Sequence, residues 1–554
     1  MDRRATLSAL LGRKRQPNTI AALQVHTTVS SGLEPYSGAW EYLQAGHLLR
    51  RCTFGPTYAQ IKTAVSDGLE ATVNQLLSDQ PQPNPPTNYY FQDDPNVPIG
   101  ETWIDAPYSP TVNYQVYRNR SLAAWTMELM YEEGISIREK MTLFWHNHFV
   151  IENINDPKYV YQYIALLRQY ALGNFRELTK AVTIDPAMLR YLNGNQNTRT
   201  APNENYAREL LELFTVGKGE LAGSGDYTTF TEDDVVAMAR VLTGWVDRGY
   251  LNPTGIPVES QFFNARHDTD SKQLSHRFNN TVINNNGDQE YADLIDIIFQ
   301  QEEVARFISR KLYRWFVYYT IDETVEQNVI EPMAQLLISE DFNVQPVLEV
   351  LLKSAHFYDM ISSGCIIKNP IDFVYSVLST MEVEIPANLG PRYNALFIIY
   401  GFSEQLQMQY FQAPNVAGWK AYYQEPQYYR TWINASTLNA RTTFTNAFTF
   451  SGVAVGGTRI AVDPLKLIAT IDDPFDVNSV IDEFVQILFP EDITQEQKDY
   501  LKEVLIPGLP DFEWNVEYSE YASDPGNEEV AMSIENKLRN LLRAMTSMAE
   551  FHLS

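Results

Sequence analysis

Asn203-Glu204-Asn205-Tyr206-Ala207-Arg208-Glu209-Leu210-Leu211-Glu212-Leu213-Phe214 puts three carboxylates and an arginine on a stretch otherwise spaced like a buried helix. Glu204, Arg208 and Glu212 fall at i, i+4 and i+8, the geometry of an ion ladder. Leu210, Leu211, Leu213 and Phe214 supply the apolar side. Ionised groups beside a core are costly unless paired or used, so the segment has two readings. One is a salt-bridge network that fixes helix packing. In the other, Glu209 and Glu204 act as metal ligands or a general base, because helical bundles build metal sites from carboxylates and histidines on facing helices.

Working outward, the same 3.6-residue periodicity recurs on both sides. Helices are expected over Glu41 to Gly55, then on two faces set by Leu122, Trp125, Leu129 and Met130 and by Ile137, Met141, Phe144 and Trp145, separated at Gly134. Further helices are expected over Lys158 to Leu172, Phe175 to Thr183, Pro186 to Leu192 and Glu232 to Leu242, the last opened by Thr231 as N-cap. The pattern resumes over Gln289 to Gln300, Glu302 to Tyr319, Thr324 to Ile338, Val344 to Lys353 and Asn434 to Phe448. The proline-rich stretch Gln80 to Pro110 reads as a long ordered loop. Residues 249 to 286 read as irregular with one small hairpin, and Glu513 to Pro525 as a loop between tail helices. The expected fold is mainly α: a large multi-helix domain over 38–448, an appended helical segment over 449–554 packed on it, long irregular loops and at most a small β-hairpin.

A chain of 554 residues, 44% hydrophobic and 12% aromatic, can bury a large core. Its formal net charge of -27, from 42 Lys+Arg against 69 Asp+Glu, would repel a polyphosphate, so nucleic acid is not an expected partner. With Cys52 and Cys365 alone there is no disulfide framework, and their pairing is open. No run reaches the roughly 18 apolar residues of a membrane helix. Residues 1–37 form a polar leader that begins like a twin-arginine signal at Arg3-Arg4, but its apolar stretch stops at Gly12-Arg13-Lys14-Arg15. A cytoplasmic location is the first expectation, and the periplasm or cell envelope the second.

Several signatures follow in order: His47-Leu48-Leu49-Arg50-Arg51 with Phe54-Gly55, Arg138-Glu139-Lys140-Met141, and Phe144-Trp145-His146-Asn147-His148-Phe149. After the Asn203 to Phe214 helix come Tyr227-Thr228, Asp233 to Gly244-Trp245, His267-Asp268 with Lys272, and Ala413-Pro414-Asn415-Val416-Ala417-Gly418-Trp419 before Trp432-Ile433-Asn434. From Ala45 to Arg441 this series resembles the domain of unknown function 1800 family of bacterial proteins. The resemblance implies a mainly helical domain, often behind a twin-arginine leader, and no assigned reaction.

Three clusters are candidates for chemistry. His146 and His148 lie two residues apart, about 200° of helical rotation, so they could share an ion only if the helix ended at His146. Glu209 and His267 would complete a metal set with them, and a divalent ion is the cofactor this implies. Glu204, Asp268 and Lys272 are the candidate acid, base or electrostatic groups, with Asp268 also able to orient its neighbouring imidazole. For each cluster the structural alternative is a set of local hydrogen bonds and ion pairs. Hydrolase elbow, phosphate-loop, dinucleotide and zincin motifs are all lacking. The two function classes are therefore a metal-assisted hydrolase using these groups, or a non-catalytic scaffold or binding protein of the cell envelope. In the second class, Trp419, Tyr422, Tyr423, Tyr428, Tyr429 and Trp432 would form a loop that meets a protein partner or a glycan.

Overall fold

The helix Arg138–His148 is the axis of the molecule. In the computed structural model, which describes residues 30–363 and 365–554, Asn147 alone of its residues is not buried. A helix apolar or paired all round must be enclosed by others. Its charged first turn is enclosed because each charge has a partner: Arg138 with Asp79, Glu139 with Arg168, and Lys140 with Asp372. Pro157–Gln169 packs along it, Leu389–Gln405 lies against Gln115–Glu132, and Glu302–Phe316 lies against Glu331–Ser339.

Local chemistry sets the helix starts. Asp156, Asp185, Asn369 and Asp463 each cap a helix whose first residue is proline, the position where a missing N–H costs nothing. Thr231 and Asp234 form a reciprocal capping box ahead of Glu232–Val241. Phe175–Thr183 spans the expected residues. Gly55 ends the Tyr42–Cys52 region at φ +71°, where a Cβ would sit 2.2 Å from the carbonyl oxygen of Tyr375. Only glycine fits there.

The chain is mainly α, as expected, and 56% helical. Its β structure among the described residues is four two-stranded antiparallel ladders, including Trp245–Arg248 with Glu259–Phe262 and Lys272–Gln273 with Val282–Ile283. The segment expected as a loop from Glu513 is instead the helix Asp511–Ser523, because Trp514 and Tyr518, at i and i+4, give it a buried face. The helices Pro370–Leu378 and Leu389–Gln405, unassigned in the sequence pattern, fill the gap before the aromatic loop. Glu528–Thr546 packs on Ala435–Asn446, and Ser554 pairs through its backbone with Ile366. Among the described residues no helix is long and apolar enough to cross a membrane. The twin-arginine-like start lies outside the described residues.

Candidate functional site

The Trp145-His146-Asn147-His148 run does not end at His146. The helix continues through His148, so the two imidazoles leave it on opposite sides. His146 directs Nε2 to the carbonyl of Tyr410, and burial holds its pKa down to about 4. Asn147 accepts the backbone N–H of Trp419 at 3.0 Å. His148 meets the carbonyl of Phe214 through Nε2 at 3.1 Å and the ammonium of Lys311 through Nδ1 at 2.9 Å. Three consecutive side chains thus fasten the aromatic loop on one side and the acidic helix on the other.

The acidic helix explains why His148 is needed. Glu204–Glu209 continues into a wider π turn, Leu210–Phe214, which leaves carbonyls without helical partners. Lys311 takes that of Leu213 at 3.0 Å and His148 that of Phe214. On the outer face Arg208 bridges Glu204 at 3.2 Å and Glu232 at 2.8 Å, with Glu212 at 3.7 Å. Glu209 is half-buried, and burial, then Glu212, raises its pKa.

His267 and Lys272 come together around a carboxylate that the motif reading missed. Glu290 accepts from Nε2 of His267 at 3.0 Å and pairs with the ammonium of Lys272, and all three side chains are sealed from solvent. Nδ1 of His267 faces the carbonyl of Thr243 at 2.9 Å. Asp268 turns away to Arg240 at 2.7 Å; burial raises its pKa, but the guanidinium outweighs this and leaves it below the usual range. The expected ligands His146, His148, Glu209 and His267 are therefore not brought together. Among the described residues no group of three or more His, Cys, Asp or Glu side chains is placed to hold a metal ion. Cys52 and Cys365 are free thiols.

A different site does assemble. Arg50 and Arg51, in the last turn of Tyr42–Cys52, meet Lys140, Arg314 and Asp372 in a cleft walled by Trp315, Tyr422, Tyr428 and Trp432. Four cationic side chains face the carboxylate of Asp372, and Ser554, the last residue of the sequence, lines the same cleft. Asp372 is taken by Lys140 and by Asn369 at 2.6 Å. Arg50 donates to the carbonyl of Gln486 at 2.6 Å, and Arg314 lies over the ring of Tyr428 at 5.5 Å. Arg51 differs: it is 5% exposed, and its Nε and Nη1 have no hydrogen-bond partner. Behind the cleft, burial together with Arg50 and Arg441 pulls the Lys368 ammonium down to about 7. In an acidic chain, this interior is locally positive. In the aromatic loop Trp419, Tyr428 and Trp432 are buried, Tyr422 and Tyr429 are half-buried, and Tyr423 is 39% exposed.

The family model described as a protein of unknown function, DUF1800, matches residues 47–551. The chain belongs to the DUF1800 family. No curated protein and no solved structure matches the chain. The DUF1800 match runs through the C-terminal helices, beyond the segment ending at Arg441 where the sequence signatures stop. Within this DUF1800 chain four of the signatures are neighbours. Arg50-Arg51, Lys140 and the aromatic loop build the cleft, and the His146 to His148 run clamps that loop in place.

Lys311 offers a test of the clamp. Burial, then Arg314, lowers its pKa to about 7. Between that value and the unfolded value of about 10.4, the unfolded chain binds more protons than the folded one, so stability rises with pH across this window. Melting temperatures of the native protein and Lys311→Met, followed from pH 7 to 10, should show the native protein gaining relative to the variant. Parallel profiles would contradict the assignment.

Proposed function

We propose that this DUF1800 chain is a binding protein whose ligand occupies the cleft between Arg51 and the aromatic loop. The observation that carries this reading is one cavity lined by Arg50, Arg51, Lys140 and Arg314 and walled by Trp315, Tyr422, Tyr428 and Trp432, with Nε and Nη1 of Arg51 buried and without a hydrogen-bond partner. Ligand sites combine an apolar wall with a few convergent polar groups, and a buried polar group left unsatisfied in a stable fold calls for an explanation. The alternative, a metal-assisted hydrolase, needs His146, His148, Glu209 and His267 to converge, and hydrogen bonds commit the three histidines to separate partners.

A panel of neutral sugars, short peptides and aromatic acids, screened by thermal stabilisation against the native protein and Trp432→Ala, tests the reading. Members that stabilise the native protein are expected to lose the effect in the variant, because Trp432 forms part of the wall. Stabilisation that survives unchanged in Trp432→Ala, or a panel with no binder, would overturn it.

A further inference from the structure

We propose that residues 553–554 form a strap that closes the cleft and lifts to let a ligand enter. The inference rests on the binding reading above and adds how that site is opened. Volume requires an opening of some kind. The cavity is about 40 Å³, and roughly 10–15 Å³ is enough for one water, whereas small-molecule pockets run to roughly 300–1,000 Å³. A sugar or a peptide enters only if one wall moves.

Most of the walls are fixed. Arg50 and Arg51 sit in the last turn of Tyr42–Cys52, Lys140 on the buried Arg138–His148 helix, Arg314 and Trp315 on Glu302–Phe316, and Asp372 in the first turn of Pro370–Leu378. The aromatic loop is pinned to the axis helix through the Trp419 N–H on Asn147 and the Tyr410 carbonyl on His146. The remaining flank is Ile366 and Ile367 with Ser554, and it lies outside every helix. Ser554 exchanges two main-chain hydrogen bonds with Ile366, at 2.9 and 3.0 Å, and the Lys368 N–H donates to the carbonyl of His552 at 2.8 Å. Each such bond is of modest net worth.

The chain just before the strap is anchored. Phe551 is fully buried, its carbonyl accepts from the Lys368 ammonium at 2.8 Å, and the ring of His552 stacks on Phe373 at 5.3 Å. Residues 553–554 can therefore lift from His552 onward while Phe551 stays in the core. A segment held by a few main-chain bonds beside a packed anchor belongs to the part of a fold that opens well below the energy of global unfolding.

Leu553 faces Ile367 in an antiparallel bridge, flanked by the Ile366 and Lys368 bonds, so the two form a non-hydrogen-bonded pair. The Cα atoms of such a pair lie about 4.5 Å apart, within the span of a disulfide. The experiment is a full-length Ile367→Cys, Leu553→Cys protein in a Cys365→Ser background, titrated oxidised and reduced with the panel member that most stabilises the native protein. The reduced form should bind as the native protein does, and the oxidised form at least tenfold more weakly, because affinity falls with the fraction of molecules able to open. Both forms carry the same substitutions, so their difference reports the lock alone. Equal binding through Trp432 in both forms would overturn the strap while the binding reading stands. If no panel member binds, the binding reading fails and the strap fails with it as a ligand gate. Hydrogen exchange of the native protein needs no variant: peptides covering 366–368 and 552–554 should exchange at least tenfold faster than 373–378, within the helix Pro370–Leu378. Equal protection of the two regions would overturn the inference.

Discussion

Glu290→Ala is expected to destabilise the protein by about 3–5 kcal/mol, the cost of leaving a buried ion without its counter-charge. Lys272 and His267 both depend on this carboxylate, and none of the three side chains has access to water. A triple exchange, His267→Phe with Lys272→Met and Glu290→Leu, should recover much of the loss, because apolar groups of similar volume often replace buried ion clusters at little cost. Denaturant midpoints of the two variants check this. A Glu290→Ala protein as stable as the native one would show that the cluster does not hold the loop 264–290 against its helix. A triple variant as damaged as the single one would show a role for these groups beyond mutual pairing.

The second large effect is expected at Gly418. Its φ is +88°, and a Cβ there would lie 2.3 Å from Oδ1 and 2.7 Å from the carbonyl oxygen of Asn147. Gly418→Ala meets backbone as well as side chain, so strain and overlap together should cost about 2–5 kcal/mol. The loop would have to lift away from the Arg138–His148 helix, carrying the cleft wall with it. Loss of cleft binding should therefore accompany the drop in melting temperature. Asn147→Ala removes only the bond to the Trp419 N–H and should cost about 1–3 kcal/mol. Native stability for Gly418→Ala would contradict the packing of loop on helix.

Helix positions were legible because caps and periodicity are local: Thr231 with Asp234, and Asn174 ahead of Phe175–Thr183, act within one turn. The helix Asp511–Ser523 was not legible, since its burial rests on two aromatic residues, Trp514 and Tyr518, in an otherwise exposed or half-buried stretch. His146 and His148 drew a metal reading from residue type alone. Their true partners, the carbonyls of Tyr410 and Phe214, are main-chain groups that no motif announces. Glu290 was missed for a related reason, because nothing near it in sequence marks a buried carboxylate. The cleft is not legible in the sequence, although its parts lie within the family signatures. Arg50-Arg51, Lys140 and Trp432 are far apart in the chain, and only the packing of the helix ends brings them to one cavity.

The most direct test of the binding centre is a crystal structure of the native protein with the panel member that stabilises it most. The account predicts ligand density in the cleft against Tyr422, Tyr428 and Trp432, with that wall in place. Ligand density confined to the outer surface, with the cleft unchanged at saturating ligand, would contradict it.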